Sequence, residues 1–235
     1  MNKSADELTD SFFKLGYDRC TIDQMLQATG TSKSSLYNRF GSKRGAFQQA
    51  LEHYRMHILQ PTIFRGGVTT CGLGQIDGMY QAAIHLFSGG TPKGCLLLSR
   101  VGHSSHPEAV EAITIGKVVL AEELASHLRT LGFVEGYGSA ARLMVIHFAA
   151  LANWADDGVD RRILKEHAAM FARTVSAILV LQTPQKPFFD YDFMVSRLSE
   201  RSKAIARATP HNGQFGWRVE AFLQRLYEQD CKGLR

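Results

Sequence analysis

Residues 30–40 read GTSKSSLYNRF, a stretch typical of a tight turn followed by a short amphipathic helix. Gly30 lets two helices cross closely at the turn, and Ser32 can cap the second of them. Leu36 and Phe40 are four residues apart and therefore share the apolar face. The opposite face carries polar or basic side chains that can enter a DNA major groove: Lys33, Ser34, Ser35, Tyr37, Asn38 and Arg39.

Helices are predicted on both sides of this turn. Gly16 is expected to end the first helix, and Thr21 can cap the second. Ser42 can cap a longer helix that Pro61 ends or kinks, because proline lacks a backbone N–H. Three short helices and a longer one are therefore predicted, over residues 3–15, 21–28, 32–40 and 43–59.

The rest of the chain also has helical periodicity and no convincing strand pattern. Breaks rich in glycine and proline separate the helical segments, and residues 66–74 are expected to form a loop. Further helices are predicted over residues 75–88, 108–131, 139–156 and 160–181, with a short apolar element over residues 96–102.

The order of these elements predicts an all-α protein in three parts. Residues 1–53 form a three-helix unit with a helix-turn-helix, which is a DNA-binding arrangement. Residues 54–183 form a larger α-helical domain. Residues 184–235 are a C-terminal extension, rich in aromatic residues near its start, whose structure and role the pattern leaves open.

Composition narrows the class of protein further. Hydrophobic residues make up 45% of the 235 residues and charged residues 21%, which indicates a soluble globular chain. The net charge of +5 is compatible with nucleic acid but does not require it. The four cysteines are scattered, which argues against a zinc ribbon or a disulfide framework. A polar, acidic N-terminus and the lack of a long apolar run predict a cytoplasmic protein with no membrane partner.

The segment from Phe12 to Tyr54 resembles the helix-turn-helix of the TetR family of transcriptional regulators. That pattern reads roughly F-x-x-x-G-Y, then T-x-x-x-I, then G-V-S-x-x-x-L-Y-x-x-F-x-x-K. Leu26 and Thr31 are mild variants of it. The other anchors occur with matching spacing over some thirty positions: Phe12, Gly16, Tyr17, Thr21, Gly30, Ser32, Leu36, Tyr37, Phe40 and Lys43.

The resemblance implies a ligand-responsive repressor that binds a palindromic operator in double-stranded DNA as a homodimer. It implies phosphate contacts for Thr21, Tyr37 and Lys43. It also implies base reading by some of Lys33, Ser34, Ser35 and Asn38, while Ser32 and Arg39 belong to the same surface. Plainer roles remain open: the hydroxyls can be helix caps alone, Tyr37 a half-buried core residue, and Lys33 and Arg39 part of a solvated face.

Cys95 is a candidate thiol sensor. The segment Pro92 to Leu98 resembles a P-x-G-C-L-L segment found in many members of the family. A short helix beginning near Gly94 would place Cys95 at its N-terminus, which lowers a thiol pKa and favours reaction with oxidants or electrophiles. The alternative is that Cys95 is a small apolar core residue, which free cysteines often are.

The resemblance also implies a cavity for an unidentified small-molecule effector between the middle helices, within about residues 55–155. His103 and His106 have a spacing that suggests a metal site, but two ligands are too few, so loop histidines and no metal are expected. No cofactor is expected either. Apolar candidates for lining the cavity are Met79, Ile84, Phe87, Leu97, Val101, Ile113, Phe148 and Trp154.

The last two helices resemble the pair that builds a four-helix bundle with a second subunit. Small alanines on both helices allow close packing. A dimer also suits the DNA-binding unit, because two recognition helices one DNA turn apart read a palindrome. The predicted dimer interface comprises Leu143, Ile146, Ala150, Trp154, Phe171, Val175 and Ile178.

Two other classes of function were weighed against a regulator. An enzyme is not expected, because the chain contains no catalytic serine motif, no glycine-rich phosphate loop and no paired acidic motif, and no catalytic residue is assigned. A helical interaction protein without DNA binding remains an alternative, although the basic segment from Lys33 to Lys43 argues against it. The operator sequence, the effector and the choice between repression and activation stay open.

Overall fold

The structure is a computed structural model that describes residues 3–68, 73–99, 104–133 and 135–181. Every regular element within these ranges is helical and none is a strand, which confirms the all-α prediction. The α-helices are α1 (Lys3–Arg19), α2 (Ile22–Thr29), α3 (Lys33–Phe40), α4 (Lys43–Tyr54), α5 (Gln60–Val68), α6 (Gly74–Gly89), α7 (Pro107–Thr130), α8 (Tyr137–Asp156) and α9 (Arg161–Leu181).

The three N-caps predicted in the first domain are confirmed. The Thr21 side chain accepts from the backbone N–H of Gln24, and the Gln24 side chain bonds back to the cap, which forms a capping box. The hydroxyls of Ser32 and Ser42 likewise accept from backbone N–H groups three residues later. Gly30 has a left-handed backbone (φ 62°) and its N–H closes α2. These local bonds fix where the helices of the predicted DNA-binding unit start.

Helical structure continues past two predicted helix breaks, although the backbone is irregular at both. Gly16 has a non-helical backbone (φ 73°, ψ 170°) but only kinks α1, because a final helical turn follows it as far as Arg19. Pro61 does not end the helix that α4 begins, and α5 runs into the expected loop as far as Val68. A π-helical turn, Arg55–Leu59, joins α4 to α5. Pro61 therefore falls in the first turn of α5, where a missing N–H costs little.

One hydrophobic core runs through both predicted domains. In the first domain the rings of Phe12 and Tyr17 each lie 5.0 Å from the ring of Phe47. Tyr54, at the end of α4, is buried, and its ring lies 5.7 Å from that of Phe13 in α1. The predicted boundary between residues 53 and 54 therefore falls inside a continuous helical rod, with no linker.

The second domain is built around α6, which packs against α5, α8 and α9. Gly66 allows the close approach of α5 to α6, because a Cβ at Gly66 would lie 2.5 Å from the Cβ of Ala82. Within the described ranges, no helix has the length and apolar character needed to cross a bilayer. Several expectations concern residues outside those ranges: Cys71, Val101, His103, Cys231 and the extension 184–235.

Candidate nucleic-acid interface

The outer face of α3 is exposed, as its helical periodicity predicts. Leu36 and Phe40 are buried on the inner face, whereas Tyr37 is 39% exposed and is not a core residue. The guanidinium of Arg39 lies 5.1 Å from the centre of the Phe40 ring. The remaining side chains predicted to face DNA are all exposed: Ser32, Lys33, Ser34, Ser35 and Asn38. Their contact with DNA stays a prediction.

Two further predicted contact residues flank α3 at the starts of neighbouring helices. Thr21 is exposed at the N-terminus of α2, and Lys43 is the first residue of α4. The Lys43 ammonium lies 4.5 Å from the centre of the Tyr17 ring and donates to the carbonyl of Asp18 at 3.4 Å. Helix N-termini carry unpaired N–H groups and a partial positive charge. Each helix start and the Lys43 ammonium is therefore suited to a phosphate, and with the outer face of α3 they form the predicted DNA-contacting surface.

Polar contacts connect this surface to the first turn of α7, and together they form the α1–α7 junction. The buried Tyr17 hydroxyl donates to Glu108, and Arg44 pairs with Glu111 at 2.8 Å. Burial, reinforced by Glu108, holds the pKa of Tyr17 well above its usual value. Ser104 donates to Asp18. Sequence reasoning missed the junction because its partners are 67 to 91 residues apart and follow no local pattern.

The expectation of a low pKa for Cys95 was wrong. No helix begins at this residue, which immediately precedes a turn at residues 96–98. Its side chain is fully buried, and that burial raises the pKa of the thiol to about 11, although a hydrogen bond with Tyr54 partly opposes the rise. The hydroxyl of Ser99 bonds both the N–H and the carbonyl of Cys95, at 3.1 and 2.7 Å. Cys95 is therefore a core residue, the alternative that the sequence left open.

Alkylation at Cys95 should be slow in the folded protein. At pH 7.4 a thiol with a pKa of about 11 is only ~0.02% thiolate, the form that reacts. We expect labelling by N-ethylmaleimide at least ~100-fold slower than for a free cysteine, measured at this site by mass spectrometry. In denaturant the difference should disappear. Labelling of the folded protein at the rate of free cysteine would contradict the buried, protonated state.

Most of the residues expected to line a central cavity are buried in the hydrophobic core, and their contact with a ligand stays a prediction. The side chains of Met79, Ile84, Phe87 and Phe148 are all buried, as are those of Leu97 and Ile113, whereas Trp154 is half-buried. A cleft that involves none of these residues lies where the two predicted domains meet. His106 is exposed and lies 3.8 Å from Asp18, as a loop histidine would. The described residues contain no group of side chains suited to a metal.

The predicted dimer interface contains one large exposed side chain and several half-buried ones. Ile146 on α8 is 64% exposed, and Met170 on α9, which the sequence reasoning missed, is 46% exposed. Val175 is buried inside the protomer, so its assignment to the interface was wrong. The half-buried members are Leu143, Ala150, Trp154, Phe171 and Ile178.

No protein-family model and no curated protein matches the chain. Solved structures do match. One is a cysteine-substituted variant of the TetR family transcriptional regulator CifR with 26-bp double-strand operator DNA (TM-score 0.62, 18% identity, 74% of this chain and 95% of that chain). Another is SCO4454, a TetR-family transcriptional regulator from Streptomyces coelicolor (TM-score 0.56, 16% identity, 77% and 94%). Over about three quarters of its length, the chain therefore has the fold of TetR-family transcriptional regulators.

Proposed function

We propose that this protein is a transcriptional regulator that binds a palindromic operator in double-stranded DNA as a homodimer. The observation that carries the proposal is the exposed polar and basic face of α3, flanked by Thr21 and Lys43 at two other helix starts. An α-helix of this kind fits a major groove. The likeness in fold to a regulator solved with operator DNA supports the same reading.

The roles of the side chains follow from their chemistry. Thr21, Tyr37 and Lys43 offer hydroxyls and an ammonium to phosphate oxygens, and such contacts set the position of the protein on the duplex. Lys33, Ser34, Ser35 and Asn38 reach toward base edges, with lysine suited to guanine and asparagine to adenine. Ser32 and Arg39 complete the surface at its two ends.

The dimer rests on the exposed apolar side chains of α8 and α9. Ile146 and Met170 would be covered by the same helices of a second subunit, in a four-helix bundle. Such an arrangement gives a two-fold pair of α3 helices, and a pair about 34 Å apart reads a palindrome. A single eight-residue helix would bind DNA weakly by comparison.

In this proposal the protein is a cytoplasmic repressor that a small-molecule effector releases from DNA. The α1–α7 junction supplies a physical route, because Tyr17 and Arg44 bond to α7 while Lys43 rests on the Tyr17 ring. An effector that binds better to the DNA-free arrangement shifts the population toward it. The enzyme alternative gains nothing from the solved structures of similar fold, which are transcriptional regulators.

Selection of duplexes from a random DNA pool by the full-length protein tests the proposal. We expect sequencing to show an enriched palindrome. Tyr37→Phe combined with Lys43→Ala should weaken binding to it by at least ~10-fold and lower the salt dependence, because fewer counterions are released. Lys165→Ala removes an exposed lysine of α9 and should leave the affinity unchanged.

The alternative of a helical interaction protein predicts a different result. In that case no sequence would be enriched. Any residual affinity for DNA would change by the same factor in the Tyr37→Phe, Lys43→Ala variant and in the Lys165→Ala control. A palindrome enriched by the wild type and retained fully by the Tyr37→Phe, Lys43→Ala variant would contradict the assigned contacts.

A further inference from the structure

A cleft of about 240 Å³ lies where the two domains meet. α1 forms one side of it, the end of α4 and the π-helical turn form the second, and the end of α6 with residues 90–92 forms the third. An occupant would touch the DNA-binding unit and the second domain together. We call it the junction cleft.

The walls of the junction cleft are apolar and partly aromatic. Phe13 and Tyr54 meet edge to face with ring centres 5.7 Å apart, and Ile58 and Leu86 complete the apolar wall. Tyr54 is buried and held by its bond to Cys95, so the back of the cleft is preformed. Polar groups of Asp6, Thr9, Asp10, His53 and Thr91 also line the cleft, and apolar walls combined with placed polar groups are the usual form of a small-molecule site.

The charged groups of the cleft are mainly acidic. Asp6 and Asp10 are on α1, and His53 on α4 bonds one oxygen of Asp6 at 2.7 Å. Asp10 pairs with Lys14, which is on the solvent side and does not line the cleft. Each carboxylate has two oxygens and accepts several hydrogen bonds, so one partner leaves acceptor capacity on both. The cleft therefore offers two carboxylates beside aromatic rings.

We propose that the junction cleft binds an organic ammonium cation with an apolar or aromatic body, and that this cation is the effector class of the regulator. The second half of this inference rests on the proposed function. Carboxylates donate nothing to an anion and repel it, whereas an ammonium gains charge-assisted hydrogen bonds from them and attraction from ring faces. The apolar walls accommodate the body of the ligand. A neutral ligand of the same shape loses the charged contacts.

Binding at this place would act on the DNA-binding unit through the elements it touches. Asp6, Asp10 and Phe13 belong to α1, whose far end carries Tyr17 and the α1–α7 junction. His53 and Tyr54 belong to α4, which begins at Lys43. A cation that binds one arrangement of α1 against α4 more tightly therefore shifts the population toward that arrangement, and the DNA-contacting residues move with it. The size of the shift is set by the difference in affinity for the two arrangements.

Calorimetric titration of the full-length protein without DNA tests the binding. The probes are 2-phenylethylammonium and its neutral analogue 2-phenylethanol. We expect the cation to bind with a Kd of about 1 mM or tighter and the alcohol at least ~10-fold more weakly. Asp10→Asn removes only the exposed ion pair with Lys14 within the protein, and it should weaken binding of the cation at least ~5-fold. Asp6→Asn should weaken this binding more strongly. Glu166→Gln removes one exposed carboxylate of α9 and should leave the affinity unchanged.

Three results would overturn the assignment: no binding of the cation up to about 10 mM, equal binding of the cation and the alcohol, or an unchanged affinity in both aspartate variants. The DNA titration is separate. Binding of the selected duplex without any probe tests the proposed function alone. The claim that the cation is the effector is tested by adding the cation at saturation, and we expect a loss of at least ~5-fold in DNA affinity. Binding of the cation with unaltered DNA affinity would overturn that claim and leave the proposed DNA binding intact.

Discussion

Replacing Ile146 with glutamate should convert the proposed dimer into monomers at micromolar concentration. Ile146 is 64% exposed in the protomer, so the substitution disturbs little within one chain. In a bundle of α8 and α9 from two subunits, the new carboxylate would be removed from water without a partner, and symmetry would place one on each subunit. A desolvated unpaired charge costs several kcal/mol, enough to shift a dimerisation constant by ~100-fold or more. Analytical ultracentrifugation over a concentration series measures the shift.

The matched control for this experiment is Val118→Glu. Val118 is also exposed and apolar, but it lies on α7, outside the proposed interface. This variant should remain dimeric and bind the selected palindrome as the wild type does, while Ile146→Glu should lose at least ~100-fold in affinity because two half-sites no longer bind together. A dimeric Ile146→Glu protein, or dissociation of the Val118→Glu protein, would place the interface elsewhere.

Truncating Phe47 to alanine should lower the free energy of unfolding by about 3–5 kcal/mol. Phe47 is fully buried on α4, and its ring meets those of Phe12 and Tyr17 edge to face at 5.0 Å. The change removes the transfer free energy of a phenyl ring and leaves space that α1 and α4 cannot close. The free energy of unfolding of a globular domain is about 5–15 kcal/mol in total, so the expected loss is a large share of it. Urea unfolding followed by circular dichroism measures it.

Met56→Ala provides the comparison. Met56 is exposed on the π-helical turn, so this substitution should lower the free energy of unfolding by less than about 1 kcal/mol. The Phe47→Ala protein should also bind DNA less well. The substitution removes a packing partner of Tyr17, and the Lys43 ammonium lies over the Tyr17 ring. A loss of stability no larger than that of Met56→Ala would show that the three rings are not packed together.

The parts of the fold that could be predicted from the sequence depend on local interactions. Thr21, Ser32 and Ser42 cap helices three residues away from the N–H groups they accept, so the cap is visible in the sequence itself. The division of α3 into a buried and an exposed face follows from its 3.6-residue period. These two signals located α3 and the starts of the helices around it, whereas the roles in DNA contact came from the family resemblance.

The remaining features depend on tertiary contacts that no local pattern contains. Cys95 is buried and bonds Tyr54, 41 positions earlier, and the helix start expected near Gly94 does not form. The junction cleft likewise combines residues of α1, α4 and α6 that are far apart in sequence. The course of the chain past Pro61 depended on a π-helical turn, which is rare and has no recognisable sequence signal.

The continuous core described across residue 54 has a consequence for how the molecule melts. Tyr54 packs on Phe13 in one domain and bonds Cys95 in the other, and the α1–α7 junction adds polar bonds between the same two parts. The proposed DNA-binding unit is connected in this way, so we do not expect it to fold independently. We expect its helices to gain protection against hydrogen exchange from the second domain and the two parts to unfold in one cooperative step, so that anything stabilising the second domain also stabilises the proposed DNA-binding unit.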